Sequence, residues 1–262
     1  MTKHTTPIEF PAEVKPPAIP ASFTQACEEF GLAFEPGELE GLASFLGFLL
    51  TVNEKMNLTA IRDADGAWIR HIFDALTLLP LLGEIPEGGE VADIGSGGGL
   101  PAIPLAIVLP HLKFTLIEAT AKKADYLSAA VAFLGLKNVR VFNGRAEEFG
   151  QDFRTERERY DAVTARAVGR MPMLLELTVP LAKAPDPEAG IPGGQVILVK
   201  GEKAAEEIAE AKQAMHMLHC AHAGTVETQT GRIVVIEKLR KTPRTYPRAV
   251  GEPKRSPLGV RP

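Results

Sequence analysis

Val91-Ala-Asp93-Ile-Gly95-Ser-Gly97-Gly-Gly99-Leu100-Pro101 is the stretch whose reading settles the fold class. A short apolar run ends, glycines follow, and a proline opens what comes next. The run reads as a buried strand. The glycines allow a sharp turn and a close approach of backbone to a bound group. Pro101 suits the first turn of a helix, where an N–H would have no partner. Asp93 is a carboxylate inside the apolar run, costly to bury unless it is hydrogen-bonded. Strand, glycine turn and helix form the opening unit of an open α/β sheet, whose ligands sit beyond the carboxyl ends of the strands. The plain alternative is a glycine-rich turn with no ligand. The dinucleotide spacing G-x-G-x-x-G fails from Gly95, because position 100 is Leu. It survives from Gly97 only in the weaker form that ends in Ala102.

Outward from this loop, short apolar runs alternate with helical stretches. The expected strands are Val91–Ile94, Phe114–Glu118, Val139–Phe142, Ala162–Ala165 and Val196–Lys200. The expected helices are Pro101–Leu109, Ala121–Leu134, Met171–Leu181 and Glu202–Met217. This alternation predicts a parallel sheet covered on both faces. Thr225–Gln229 and Ile233–Leu239 read as a terminal strand pair around Thr230 and Gly231. On the amino side, Leu39, Leu42, Phe45, Leu46 and Leu49 recur at helical spacing, and a second helix is expected over Trp68–Leu82. Five prolines in the first 21 residues predict a lead-in without regular structure. The expected organisation is a disordered Pro-rich lead-in (1–21), an N-terminal helical region (22–85), an α/β domain (86–239) and a basic C-terminal tail (240–262).

Three further positions carry candidate chemistry. Glu118 ends the second expected strand, 23 residues after Gly95, where an acid can accept both hydrogen bonds of a ribose diol or cap the following helix. Asn143-Gly-Arg145-Ala146-Glu147-Glu148 follows the third strand; it adjoins a bound nucleoside in this fold class, or is simply a helix start with acids complementing its dipole. Arg166 closes the fourth strand, where it can hold a carboxylate or a phosphate, or form a surface ion pair. His216, His219, Cys220 and His222 crowd a helix end, with His216 and Cys220 spaced to share a face. They read as that helix end and not as a metal site. His71 and Asp74, three apart on a helix, are expected to share a hydrogen bond.

The whole chain, 262 residues with 45% apolar and 24% charged, has an ordinary globular balance. Its two cysteines, Cys27 and Cys220, make neither a disulfide framework nor a four-cysteine zinc site, which with the absence of a signal-peptide pattern predicts a cytoplasmic setting. The charge is uneven. Lys238 to Pro262 holds eight Lys/Arg against one acid, Glu252, while the remaining 237 residues carry a net −11. A basic end on an acidic body predicts a local contact with a polyanion or, more plainly, a solvated tail.

What is missing narrows the chemistry. Neither cysteine ends a sheet strand, as attack on a pyrimidine ring carbon would require. The fourth strand runs into Ala165-Arg166-Ala167-Val168 rather than the Asp/Asn-Pro-Pro-aromatic run common where exocyclic amines are methylated. A ring nitrogen with an in-plane lone pair, such as guanine N7, needs neither device.

The Asp93-x-Gly95-x-Gly97-x-Gly99 loop is similar to that of methyltransferases using S-adenosylmethionine. Over about residues 50–258 the chain resembles the bacterial 16S ribosomal RNA guanine-N7 methyltransferases, the glucose-inhibited division protein B family. The resemblance rests on Asn57-Leu-Thr59, Arg70-His71-x-x-Asp74-x-Leu76, Asp93 to Pro101, Ile103-Pro104-Leu-Ala106, Arg145-Ala146-Glu147-Glu148, Arg166-Ala167, Lys200-Gly201 and the tail Tyr246-Pro-Arg248…Gly251…Pro253-Lys254…Pro257-Leu258. Gly98 stands where Ala is common in that family and Ala102 where Gly is common.

The resemblance implies a class I, Rossmann-like α/β fold: a mostly parallel sheet, a terminal antiparallel strand pair and an N-terminal helical extension. It implies in-line methyl transfer from S-adenosylmethionine to N7 of guanine 527 in 16S RNA, on the small subunit or an assembly intermediate. Gly95, Gly97, Leu100, Ala146, Glu147 and Arg166 would contact the cofactor, with Glu118 on the ribose. Arg166 and Lys200 are the candidates nearest the methyl group. Arg70, His71, Lys200, Arg248 and Lys254 are the candidate RNA contacts. No metal is expected. The competing readings are a nicotinamide-dependent oxidoreductase, a non-catalytic ribosome-assembly factor and a small-molecule methyltransferase.

Overall fold

The computed structural model describes residues 9–260. Seven strands are formed: β1 Glu90–Ile94, β2 Lys113–Glu118, β3 Val139–Asn143, β4 Ala162–Arg166, β5 Gln195–Lys200, β6 Cys220–Thr228 and β7 Gly231–Lys238. They lie in the order β3-β2-β1-β4-β5-β7-β6. The first five pair in parallel. β7 pairs antiparallel with both β5 and β6. The parallel strands start and end within about a residue of the expected positions, because each is a short apolar run bounded by turn residues. β6 begins at Cys220, five residues earlier than expected. It is an edge strand and mostly exposed, so it lacks the alternation that marks a half-buried strand. This start places Cys220 in the sheet and His219 at the helix cap, so His216 and Cys220 do not share a helix face.

The sheet is covered on both sides. Helices Glu38–Met56, Ala102–Val108 and Ala121–Phe133 cover one face, with Leu42, Phe45, Leu49, Leu105 and Leu127 in a single apolar cluster. The N-terminal helices therefore share a core with the strands and have none of their own. Helices Met171–Thr178, Ala204–Glu210 and Lys212–Leu218 cover the other face through Met171, Leu174, Leu175, Ala214 and Leu218.

Three departures bear on the site. First, residues 9–20 are packed rather than disordered; residues 1–8 of that lead-in lie outside the described residues. Phe10 sits 6.5 Å from the ring of Phe48, and Trp68 Nε1 donates to Ala18 O at 3.0 Å. Proline fixes φ, so this strap reaches its extended path with little entropy left to lose. Second, the expected helix Trp68–Leu82 is helical over 64–76 and again over Leu79–Leu82. Thr77 Oγ1 donates back to Asp74 O, and Pro80, without an N–H, opens the second piece. Within the first piece, Trp68–Phe73 forms a widened π-helical turn carrying Arg70 and His71. Third, the basic tail is not free. Thr242 is held by Glu158, Arg248 and the helix Glu252–Arg255 pack on the helix Met171–Thr178, and Leu258 is buried in the second apolar cluster.

Candidate active site

A cleft of about 310 Å³ opens at the carboxyl ends of β1 and β4. Clefts of similar volume lie elsewhere, including one at the amino ends of β1–β3, so volume does not single this one out. Its position does. It combines the glycine loop with the end of β4, where open α/β sheets bind ligands. Leu58, Thr59, His71, Gly95, Ser96, Gly97, Gly98, Leu100, Lys123, Arg166 and Ala167 line it.

The loop needs its glycines for two reasons. Gly95 has φ 73°, and a Cβ there would lie 2.7 Å from Val168 Cγ2. Gly97 has φ 51°, and the nearest atom to an added Cβ is Gly95 O at 3.6 Å, so its face is open to the cleft. Asn57, in the left-handed region at φ 52°, ends the helix Glu38–Met56 and turns Leu58 and Thr59 over Gly98. Asn53 clamps that turn through both its amide atoms, accepting from Thr59 N and donating to Thr59 O.

Asp93 lies at the base of the loop, 1% exposed. Its Oδ1 accepts from Thr164 Oγ1 at 2.7 Å, while Oδ2 is buried without a partner. Burial pushes its carboxyl up to about 7, against the hydrogen bond from Thr164; the Ser96 hydroxyl donates to the Asp93 main-chain oxygen at 3.0 Å. Glu118 makes the helix-start contact foreseen for it and adds one to the glycine loop. Its Oε1 accepts from Thr120 N at 2.8 Å at the start of the next helix, and its Oε2 accepts from Gly97 N at 3.0 Å. It thus ties β2 to the glycine loop.

Arg166 is held on the rim. Its Nη2 donates to Arg70 O at 2.6 Å, and its Nη1 faces Asp74 Oδ2 at 3.2 Å, close enough for an ion pair though poorly aligned as a hydrogen bond. Asp74 also accepts from Thr230 Oγ1, at the tip of the β6–β7 hairpin. Asp74 and His71 do not bond to each other, contrary to the helix-spacing expectation. His71 is 4% exposed. Its Nδ1 meets Arg70 O at 3.0 Å, and a carbonyl can only accept, so Nδ1 carries the proton. Its Nε2 therefore accepts from Thr59 Oγ1 at 2.7 Å. Burial first, then the Arg166 charge, push the imidazole down to about 4. His71 is a neutral wall of the cleft.

Gly95, Gly97, Leu100, His71 and Arg166 come together as expected, with Glu118 behind the loop. The other expected contacts do not line the cleft. Ala146 and Glu147 are buried, and Glu147 Oε1 accepts from Gly251 N at 2.9 Å. As first-turn residues of the helix Ala146–Gly150, their own N–H groups have no intrahelical acceptor. Lys200 is engaged by Glu207 at 2.6 Å and by Gly169 O at 2.8 Å, which removes it as a candidate near the methyl group and as a free RNA cation. Arg248 forms a fork on Glu176, a carboxylate with 0% exposure, through Nε at 2.8 Å and Nη2 at 2.6 Å. It is a structural anchor, not a phosphate contact. Lys254 and the Arg70 side chain are exposed. Lys123 lines the cleft and was missed. It sits two residues inside a helix and reads as an ordinary solvated lysine; only its placement five residues after Glu118 could have raised it.

The parallel sheet with β7 wedged antiparallel between β5 and β6, and the glycine turn at the end of β1, define a Rossmann-like α/β protein of the class I methyltransferase type. A Klebsiella pneumoniae protein described as a proposed O-methyltransferase shares this fold at a TM-score of 0.54, with 14% identity over 84% of this chain and 96% of that one. The family model of rRNA small subunit methyltransferase G matches residues 38–235. The chain is similar to ribosomal RNA small subunit methyltransferase G of Sorangium cellulosum, 46% identical over 87% of this chain and 91% of that one. It is also similar to that of an Exiguobacterium species, 37% identical over 91% and 98% respectively. The chain belongs to the rRNA small subunit methyltransferase G family.

Proposed function

We propose that this chain transfers a methyl group from S-adenosylmethionine to N7 of guanine 527 in 16S ribosomal RNA, within the small subunit or an assembly intermediate. Family membership supports the RNA class of substrate. The observation that carries the cofactor reading is the glycine loop at the end of β1, where Gly97 presents an open face to the cleft and the buried Asp93 Oδ2 at the base of the loop has no partner. A buried carboxylate oxygen without a donor is costly, and an ammonium or hydroxyl of a ligand relieves it. Glu118 keeps lone pairs beyond the two amides it accepts, as a ribose diol requires. The Ala146 and Glu147 amides offer donors to a base edge. These groups fit an amino-acid nucleoside.

S-adenosylmethionine, when bound, supplies an electrophilic methyl group on sulfur. The chain's part is to align and to exclude water. Leu58 and Leu100 give an otherwise polar lining its apolar patches, from which water is more readily excluded. Arg166, fixed by Asp74 and Arg70 O, is a rigid cation at the rim and cannot serve as a base. His71 has its lone pair occupied by the Thr59 hydroxyl and is not poised to take a proton. N7 has no proton to give, so in-line transfer asks only for orientation. Among the described residues no helix is long and apolar enough to cross a membrane.

The test is transfer of labelled methyl from S-adenosylmethionine to small subunits lacking the modification, followed by nucleotide mapping. Label on N7 of guanine 527 is expected. Label on another atom, or particle binding without label, overturns the reading; the second result is that of an assembly factor.

A further inference from the structure

The strongest cations of the C-terminal segment are spent inside the fold. Arg248 is bound to Glu176, and Lys238, with 0% side-chain exposure, is bound to Glu158 at 2.9 Å. The positive surface must therefore be sought elsewhere. Phe153 has a ring 42% exposed, unusual for so large an apolar side chain. The guanidinium carbons of Arg157 and Arg244 each lie 4.7 Å from its centroid. Arg157 donates to four carbonyls, Gly150, Tyr246, Thr242 and Pro243, which pin it in place without neutralising it. Burial lowers its pKa, with Glu158 attracting and Arg244 repelling it within Coulomb range. Arg154, the next residue, and Arg244 are exposed. Among the described residues none of these three arginines pairs with a carboxylate; Asp152 alongside is occupied by the Thr155 hydroxyl and by the Arg154 and Thr155 amides.

Two guanidinium groups on an exposed ring, with exposed Arg154 next in sequence, on a body that is otherwise acidic, fit an anion with a flat face. We infer that Phe153, Arg154 and Arg244 form a docking platform for a single-stranded segment of the RNA substrate, with phosphates on the guanidinium groups and a base against the ring. The inference rests on the RNA reading above and places a second contact outside the cleft. Guanidinium and aromatic planes together bind single strands by stacking and charge; a duplex offers no free base face. The platform follows shortly after the helix Ala146–Gly150.

The experiment compares wild type with Phe153→Leu, which keeps apolar bulk but removes the aromatic face, and with the double variant Arg154→Gln/Arg244→Gln. Methyl transfer is read against ribosomal particle concentration, and binding of protein-free 16S RNA is titrated across salt. Expected are a KM for the particle raised about tenfold in each variant, and a salt slope flatter by about 1.4 for the double variant, from two lost phosphate contacts at ~0.7 each. Affinity for S-adenosylmethionine and kcat should stay at wild-type values. An unchanged KM and salt slope overturns the platform. So does a raised KM with unchanged binding of protein-free RNA, which would assign the surface to a ribosomal protein. If wild type itself transfers no methyl group, the proposed function fails, and RNA titration still decides the platform.

Discussion

Two buried titratable groups, Asp93 at the base of the glycine loop and His71 in the cleft wall, have opposite consequences. The Asp93 carboxyl, pushed from 3.8 to about 7, keeps its proton in the folded chain where the unfolded chain has lost it. Folded protein then binds more protons between about pH 4 and 7, so stability present at pH 4 is lost as pH rises through 7, by roughly 4 kcal/mol if Asp93 acts alone. Asp93→Asn should abolish that decline in urea unfolding of the ligand-free protein. His71, pushed from 6.5 to about 4, does the reverse. The unfolded chain binds more protons between pH 4 and 6.5, so stability present above 6.5 is lost as pH falls toward 4, by roughly 3 kcal/mol. His71→Gln should flatten that acid limb and leave the Asp93 limb in place. Identical pH profiles for wild type and variant would show that the group in question titrates normally.

At the scale of elements, the loop between β1 and Ala102–Val108 is the least tolerant. Gly95→Ala puts a side chain in the left-handed region, costing about 1–2 kcal/mol, and drives Cβ into Val168. A lowered melting temperature is expected, with S-adenosylmethionine affinity reduced at least tenfold by calorimetry. Thr230→Val should act more gently: it removes one donor from Asp74, loosens Arg166, and lowers kcat with little change in stability. The loop was legible because everything that defines it is local: strand, glycines, acid and proline lie within eleven residues. The same holds for β1–β5. The π-helical turn at Trp68–Phe73 was not legible, since apolar residues at Trp68, Ile72 and Phe73 serve a regular helix equally well. Nor were the partners of Lys200 and Arg248. A charged side chain in a one-dimensional pattern looks solvated whether or not a carboxylate such as Glu176, 72 positions away, is folded against it.

For the molecule as a whole, the C-terminal segment is part of the frame. Arg248→Ala would leave Glu176 buried without its counter-charge, and loss of about 3–5 kcal/mol is expected, seen as a lower melting temperature and new protease cleavage within residues 240–258. Glu147, Glu158 and Glu176 each accept from this segment, at Gly251 N, Thr242 N and Arg248. A chain cut short after β7 would thus be missing more than positive charge. Glu147 and Glu176 would be stranded in buried positions, Glu158 would keep only Lys238, Leu258 would leave its socket, and a protein already rich in acid would have no basic end to balance it. Such a deletion would fail by collapse or precipitation, whatever its contacts with nucleic acid, so a role for the terminus in substrate capture is decided by exchanging single surface charges and never by shortening the polypeptide.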